Sequence, residues 1–124
     1  MRHEESVEQR ALVAWADSTW MPGRPCERIG EYLYAIPNGG ARRPLEAAIL
    51  KGEGVRAGML DLCLAFPAHG HHGLYIEMKR RKGGVTSPKQ KEWASRLTCV
   101  GYRAEVCAGY EAARAVILNY LGVV

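Results

Sequence analysis

The sequence predicts one α/β domain, with elements in the order helix, strand, short helix, two-stranded hairpin, helix, strand, helix. Three observations support this. The chain has 124 residues, 48% of them apolar, which is enough to bury one core and leaves no room for a second domain of usual size. Apolar spacing alternates along it between helical and extended periods. Turn and cap residues separate the segments where those periods change.

The first helix is expected over residues 5 to 20, with Val7, Ala11, Ala14, Trp15 and Ala16 as its apolar positions. Tyr32 to Ile36 reads as the first strand. Pro44 suits the first position of a short helix that Gly52 or Gly54 ends, because proline lacks only an N–H that is free there anyway. Strands follow at 60 to 66 and 73 to 79, joined as a hairpin by a Gly/His turn near residues 67 to 72. Ser87-Pro88-Lys89-Gln90 supplies an N-cap, a first-turn proline and a glutamine at the third position, so a helix starts here and stops near Gly101. Tyr102 to Cys107 is the fourth strand. Tyr110 to Leu121 is the last helix, with Ala113, Val116, Ile117 and Tyr120 on its buried side.

The hairpin carries the chemistry. In extended chain the side chains alternate faces, so Glu77 and Lys79 point one way and Ile76 and Met78 the other. Pairing the two runs brings Asp61 beside Glu77 to Lys79. Two carboxylates held that close repel unless a cation lies between them, and an all-oxygen site suits Mg²⁺ or Mn²⁺. A Glu-x-Lys taken alone is equally a solvated strand end with a surface ion pair.

The wider pattern separates these readings. Ile36-Pro37-Asn38-Gly39-Gly40, Gly54-Val55-Arg56-Ala57-Gly58-Met59-Leu60-Asp61-Leu62, Tyr75-Ile76-Glu77-Met78-Lys79, Ser87-Pro88-Lys89-Gln90 and Gly101-Tyr102 occur in this order and spacing. Together they resemble the VRR-NUC family, the virus-type replication and repair branch of the PD-(D/E)XK nucleases, over about Glu5 to Tyr120. The usual proline before the motif aspartate is Leu60 here. The resemblance implies a restriction-endonuclease-like αβββαβ core, a mixed four-stranded sheet sandwiched between helices. It also implies metal-dependent hydrolysis of DNA to a 5′-phosphate, with Asp61, Glu77 and the Met78 backbone carbonyl as metal ligands and Lys79 acting on the attacking water. Glu5, followed four residues later by Gln9, resembles the family's opening motif and is expected to hold a metal-bound water or support a second cation, with Glu8 as the alternative. Both acids would equally complement the positive end of the helix dipole. Gln90 lies close to the catalytic strands in the family, where it would orient phosphate or water, or else only cap its helix.

The charge distribution fits either a solubilising face or a polyanionic partner, and the neighbouring acidic site favours the partner. The net charge is only +4, yet Lys79 to Lys91 holds six basic residues, Lys79, Arg80, Arg81, Lys82, Lys89 and Lys91, and no acidic one. Arg42, Arg43, Lys51 and Arg56 form a looser second group. Beside a carboxylate pair these loops suit DNA phosphates, and Arg42, Arg43, Arg56, Arg80, Arg81, Lys82 and Lys89 are the expected contacts. No stretch approaches the roughly 18 apolar residues of a membrane span, and the N-terminus lacks a signal peptide's apolar region, so a soluble cytoplasmic protein of a bacterial or phage-infected cell is expected. Cys26, Cys63, Cys99 and Cys107 show no Cys-x-x-Cys pairing and read as reduced core thiols. His69, His71 and His72 belong to the hairpin turn, far from Asp61. Trp15, Trp20 and Trp93 read as core or interface anchors rather than base-stacking platforms.

The expected activity is that of a structure-selective endonuclease for branched DNA, working as a homodimer on Holliday junctions, because resolution needs two symmetric nicks. Trp20-Met21 and the apolar Leu118 to Val124 could mediate the dimer. The rival readings are a binding module without catalysis, a flap or duplex nuclease that does not resolve junctions, and a small structural or packaging protein.

Overall fold

In the computed structural model, which describes residues 3–37 and 43–123, the strongest local signals become elements at nearly their expected bounds. Helix α1 (His3–Asp17) is followed by two short strands, β1 (Trp20–Met21) and β2 (Arg24–Arg28), and a 3₁₀ turn at Ile29–Glu31. Then come β3 (Leu33–Ala35), α2 (Pro44–Gly52), β4 (Leu62–Leu64), β5 (Leu74–Lys79), α3 (Pro88–Cys99), β6 (Arg103–Ala108) and α4 (Tyr110–Tyr120). The Asn38-Gly39-Gly40 motif and Arg42 lie outside the described residues.

The main sheet has the order β3-β4-β5-β6. The β3–β4 and β4–β5 pairs are antiparallel and β5–β6 is parallel, so the sheet is mixed. Leu62 faces Ile76 and Leu64 faces Leu74 across the hairpin. That register carries Asp61 to the level of Glu77 and leaves the histidine turn at the opposite end. The turn needs left-handed backbone at His69 and Gly70, which explains its polar, glycine-containing sequence.

One sheet face is the core. Leu62, Leu64, Leu74, Ile76 and Met78 are fully buried there against Leu12 and Ala16 of α1 and Ala113, Ile117 and Tyr120 of α4. Burying such aliphatic side chains contributes about 1.5–3 kcal/mol each, which lets the sheet tolerate two buried carboxylates at one end. The Tyr120 hydroxyl donates to the Phe66 carbonyl at 2.7 Å and ties α4 to the chain after β4.

Three expectations are corrected. Helix α1 ends at Asp17 rather than residue 20. Ser18 and Thr19 bond back to the carbonyls of Ala14 and Trp15, and the chain then enters the β1–β2 hairpin, which apolar periodicity did not reveal because Arg24-Pro25-Cys26-Glu27-Arg28 shows no alternation. The inward stripe of α1 is also different: Val7, Ala11 and Ala14 are exposed, while Leu12 and Ala16 are buried, with Glu5 and Gln9 half-buried along the same line. Finally, only Cys63 and Cys107 are core thiols, whereas Cys26 and Cys99 are exposed and unpaired.

Helix α2 stands apart from the core. It has no buried residue, and Leu45 and Ile49 are 72% and 52% exposed. Its far end passes through the 53–59 loop, where Gly58 has φ +79 and presses against α3: a Cβ there would lie 2.4 Å from that of Lys89. Only glycine allows this approach, which sets the path of the chain into Leu60 and Asp61.

Candidate active site

Asp61 stands at the start of β4 and Glu77 near the end of β5. Both are buried, at 4% and 3% exposure. The Met78 N–H donates to Asp61 Oδ2 at 2.8 Å. In an extended strand the N–H and C=O of one residue leave by the same edge. The Met78 carbonyl therefore faces the Asp61 side, while the Lys79 carbonyl on the other edge accepts the Gly109 N–H at 2.9 Å. Lys79 Nζ lies 3.3 Å from Glu77 Oε2, its side chain 11% exposed. The chain after β5 folds back over it: a Cβ at Gly84 would sit 2.8 Å from that of Lys79.

Gln90 joins the site to a helix terminus. Ser87 Oγ accepts the Gln90 N–H at 3.2 Å and Gln90 Oε1 accepts the Ser87 N–H at 3.0 Å, a reciprocal cap of α3. The same Oε1 accepts from Lys79 Nζ at 3.1 Å, and Gln90 Nε2 donates to Glu77 Oε2 at 2.5 Å. The cap thus orients the amide, and the amide orients both the carboxylate and the amine. The helix cap expected from sequence is present, and the same side chain also contacts Glu77 and Lys79.

Burial raises the pKa of Asp61, and the Met78 N–H opposes it; the negative charge of Glu5 adds to the rise. Glu77 is pushed up to about 7, chiefly by burial and then by the Asp61 charge, with Lys79 pulling the other way. Glu77 Oε1 is buried with no hydrogen-bond partner. A buried carboxylate oxygen left without a donor is costly. A hard cation would satisfy it and relieve the repulsion from Asp61. Among the described residues no third His, Cys, Asp or Glu completes a three-ligand cluster with this pair. Two carboxylates and a carbonyl nevertheless fit Mg²⁺ or Mn²⁺, which keep several ligands from water and phosphate.

The N-terminal acids are sorted by their partners. Glu8 uses one carboxylate oxygen to accept the Tyr110 N–H at 2.7 Å and the other to pair with Arg81 Nε at 3.2 Å, so it holds α1, α4 and the end of β5 together. Glu4 is exposed and lies 3.9 Å from Arg80. Glu5 lies half-buried on the inward stripe, and its negative charge adds to the rise in the Asp61 pKa. The Glu8 tie was missed from sequence, since it needs contacts about 70 and 100 residues away. Its only sequence signal is its place between Glu5 and Leu12 on one helix face.

The basic residues divide similarly. Lys82 and Lys89 are exposed, Arg43 lies 3.9 Å from Glu46, and Arg56 donates to the Lys51 carbonyl at 3.4 Å. Arg80 bonds the Gly83 carbonyl at 3.1 Å, and its Nε is buried without a partner. His71 and His72 pack on Tyr120 and Tyr102 in the hairpin turn, away from the carboxylates. Trp15 packs on the core, Trp20 is 55% exposed beneath the Arg28 guanidinium, and Trp93 is half-buried on α3.

Comparison with known proteins identifies the domain and its fold. The family model described as the VRR-NUC domain matches residues 4–111. A solved structure of a VRR-NUC domain protein superposes with a TM-score of 0.83 at 30% identity, over 99% of this chain and 92% of that one. No significant match is found among curated proteins. With 108 of 124 residues inside the family model and the same fold at this identity, the chain belongs to the VRR-NUC domain family, whose domains are nucleases of the PD-(D/E)XK type.

Proposed function

We propose that the chain is a single-domain, Mg²⁺- or Mn²⁺-dependent endonuclease that hydrolyses DNA phosphodiester bonds, selects branched structures and resolves four-way junctions as a homodimer. The observation that carries the catalytic reading is the buried Asp61–Glu77 pair beside Lys79, with Glu77 Oε1 lacking a partner. Asp61, Glu77 and the Met78 carbonyl would hold the cation, which when bound polarises the scissile phosphate and acidifies the attacking water.

The chain's own residues do the rest. Lys79 places a positive charge beside the reacting phosphate, where it positions the nucleophile and stabilises the additional negative charge of the pentavalent transition state. Gln90 keeps Lys79 and Glu77 in register. Glu5 supplies a third negative charge, which accepts hydrogen bonds from the nucleophilic water and holds it for attack. Arg43, Arg56, Arg80, Lys82 and Lys89 neutralise flanking phosphates, and Arg42 belongs to the same group by sequence. Arg81 shares its guanidinium between Glu8 and the substrate. Cleavage leaves a 5′-phosphate.

The junction reading follows from stoichiometry, since one chain carries one Asp61, Glu77 and Lys79 set and resolution needs two opposed nicks. Exposed Trp20 and the half-buried Leu118 and Leu121 are available to a twofold partner. Among the described residues no helix is long and apolar enough to cross a membrane. The test is a panel of labelled four-way, flapped and plain duplex DNAs with Mg²⁺ or Mn²⁺. Paired nicks in the four-way junction are expected. Cleavage of flaps alone would overturn the resolvase assignment, and cleavage of nothing would overturn the nuclease.

A further inference from the structure

A groove of about 390 Å³ opens between α2, the 53–59 loop and α3. A second of about 300 Å³ shares Val55, Arg56 and Trp93 with it. Both volumes fall at the small end of the ~300–1,000 Å³ typical of small-molecule sites. The lining of the larger one is of two kinds. Leu50, Val55 and Trp93 offer apolar and aromatic surface, while Lys51, Arg56 and Lys89 bring cations. Among the described residues none of these three is paired with a carboxylate. The one acid of the lining, Glu92, is paired with Arg96 at 2.9 Å, and the Arg96 guanidinium in turn lies 4.9 Å from the Trp93 ring centre.

The groove is mechanically joined to the active site. Lys89 precedes Gln90, whose amide holds Glu77 and Lys79. Trp93 lies four residues beyond Lys89 and so on the same side of α3. Gly58, locked against Lys89, ends the wall formed by Val55, Arg56 and Ala57 three residues before Asp61.

An aromatic wall with unpaired cations at its rim suits a flat, neutral ring bearing phosphates. We propose that this groove receives an unpaired nucleotide of the DNA, its base against Trp93 and its phosphates on Lys51, Arg56 and Lys89. A paired base has both faces covered by its neighbours, whereas a base in a single-stranded arm is free to stack. The groove therefore selects DNA with an unpaired segment next to the cleavage point. This rests on the nuclease reading of the adjoining site and deepens it, because it names a feature that separates DNA with a single-stranded arm from plain duplex.

Equilibrium binding of the full chain in EDTA tests this without cleavage. The probes are a duplex with a single-stranded thymidine arm, the same duplex with an abasic arm, and a blunt duplex. Wild-type protein should bind the thymidine arm on the order of tenfold more tightly than the abasic arm, the usual effect of one stacked base. Trp93→Leu should abolish that difference and leave blunt-duplex affinity unchanged. Equal affinity of wild type for both arms overturns the proposal, as it would if the groove instead accepted a protein segment. A preference that survives in Trp93→Leu also overturns it. Should Trp93→Leu fail to fold, the wild-type comparison of the two arms decides alone. If the arms are distinguished but no DNA is cut when Mg²⁺ is restored, the nuclease reading fails and the nucleotide site stands; cleavage without arm preference gives the reverse.

Discussion

Gln90 makes two predictions separable. Ser87→Ala removes one half of the α3 cap and should lower stability by about 1 kcal/mol while cleavage persists. Gln90→Ala should cost a similar amount and also slow cleavage, because Glu77 and Lys79 lose their common partner. Denaturant titration and cleavage rates on the two variants check this, and equal activity loss in both would reduce Gln90 to a cap. Glu77 adds a dependence on pH. Its folded pKa of about 7 lies above the ordinary 4.5, so the metal-free folded protein binds the extra proton between those values. This stabilisation is complete below about 4.5 and is lost as pH rises through about 7. The melting temperature in EDTA should accordingly fall across that window, and Glu77→Gln should flatten the fall. Of these residues, the closeness of Asp61, Glu77 and Lys79 was legible from the hairpin and its alternation, while their expected role came from the resemblance carried by the five motifs. The choice between Glu5 and Glu8 was not, because it depends on where α4 and Arg81 meet α1 in space.

The chain from β5 to α3 is the basic element, and its arginines have competing partners. Replacing Arg80, Arg81 and Lys82 together by Ala should weaken DNA binding across sequences and flatten the slope of log K against log salt by about 0.9 for each phosphate no longer neutralised. Lys82→Ala alone should change the slope without affecting folding. Arg81→Ala should also lower stability, because it frees the Glu8 carboxylate that holds α1 to α4. An unchanged slope in the triple variant would return this loop to a solvated face. At this scale the sequence was informative where chemistry is local. The α3 cap, the proline start of α2 and the hairpin turn were all readable, each from two to four adjacent residues. The β1–β2 hairpin was not: it is stabilised by pairing across a Gly23 turn and by Arg28 over Trp20, neither of which leaves a periodic pattern. The inward stripe of α1 misled for a related reason, since its N-terminal half is polar where it reaches the site.

For the whole molecule, the sheet order and the family match give a nuclease fold, with one buried carboxylate pair among the described residues. Light scattering should give about twice the 13.7 kDa chain mass if the protein works as a twofold resolvase, and the chain mass itself would leave a nuclease limited to single nicks. The mixed sheet was readable as an implication of the five motifs; the groove at Trp93 was not, because α2 and the 53–59 loop form it only after folding. The catalytic role of Asp61 and Lys79 is tested most directly by measuring cleavage and DNA binding on the same samples of wild type, Lys79→Ala and Asp61→Asn with Mg²⁺ present. The structure predicts that each variant folds and binds DNA within about threefold of wild type, while Lys79→Ala loses on the order of 10²–10³ or more in rate and Asp61→Asn loses both rate and metal affinity. Cleavage at the wild-type rate by either variant would contradict the assignment of this site.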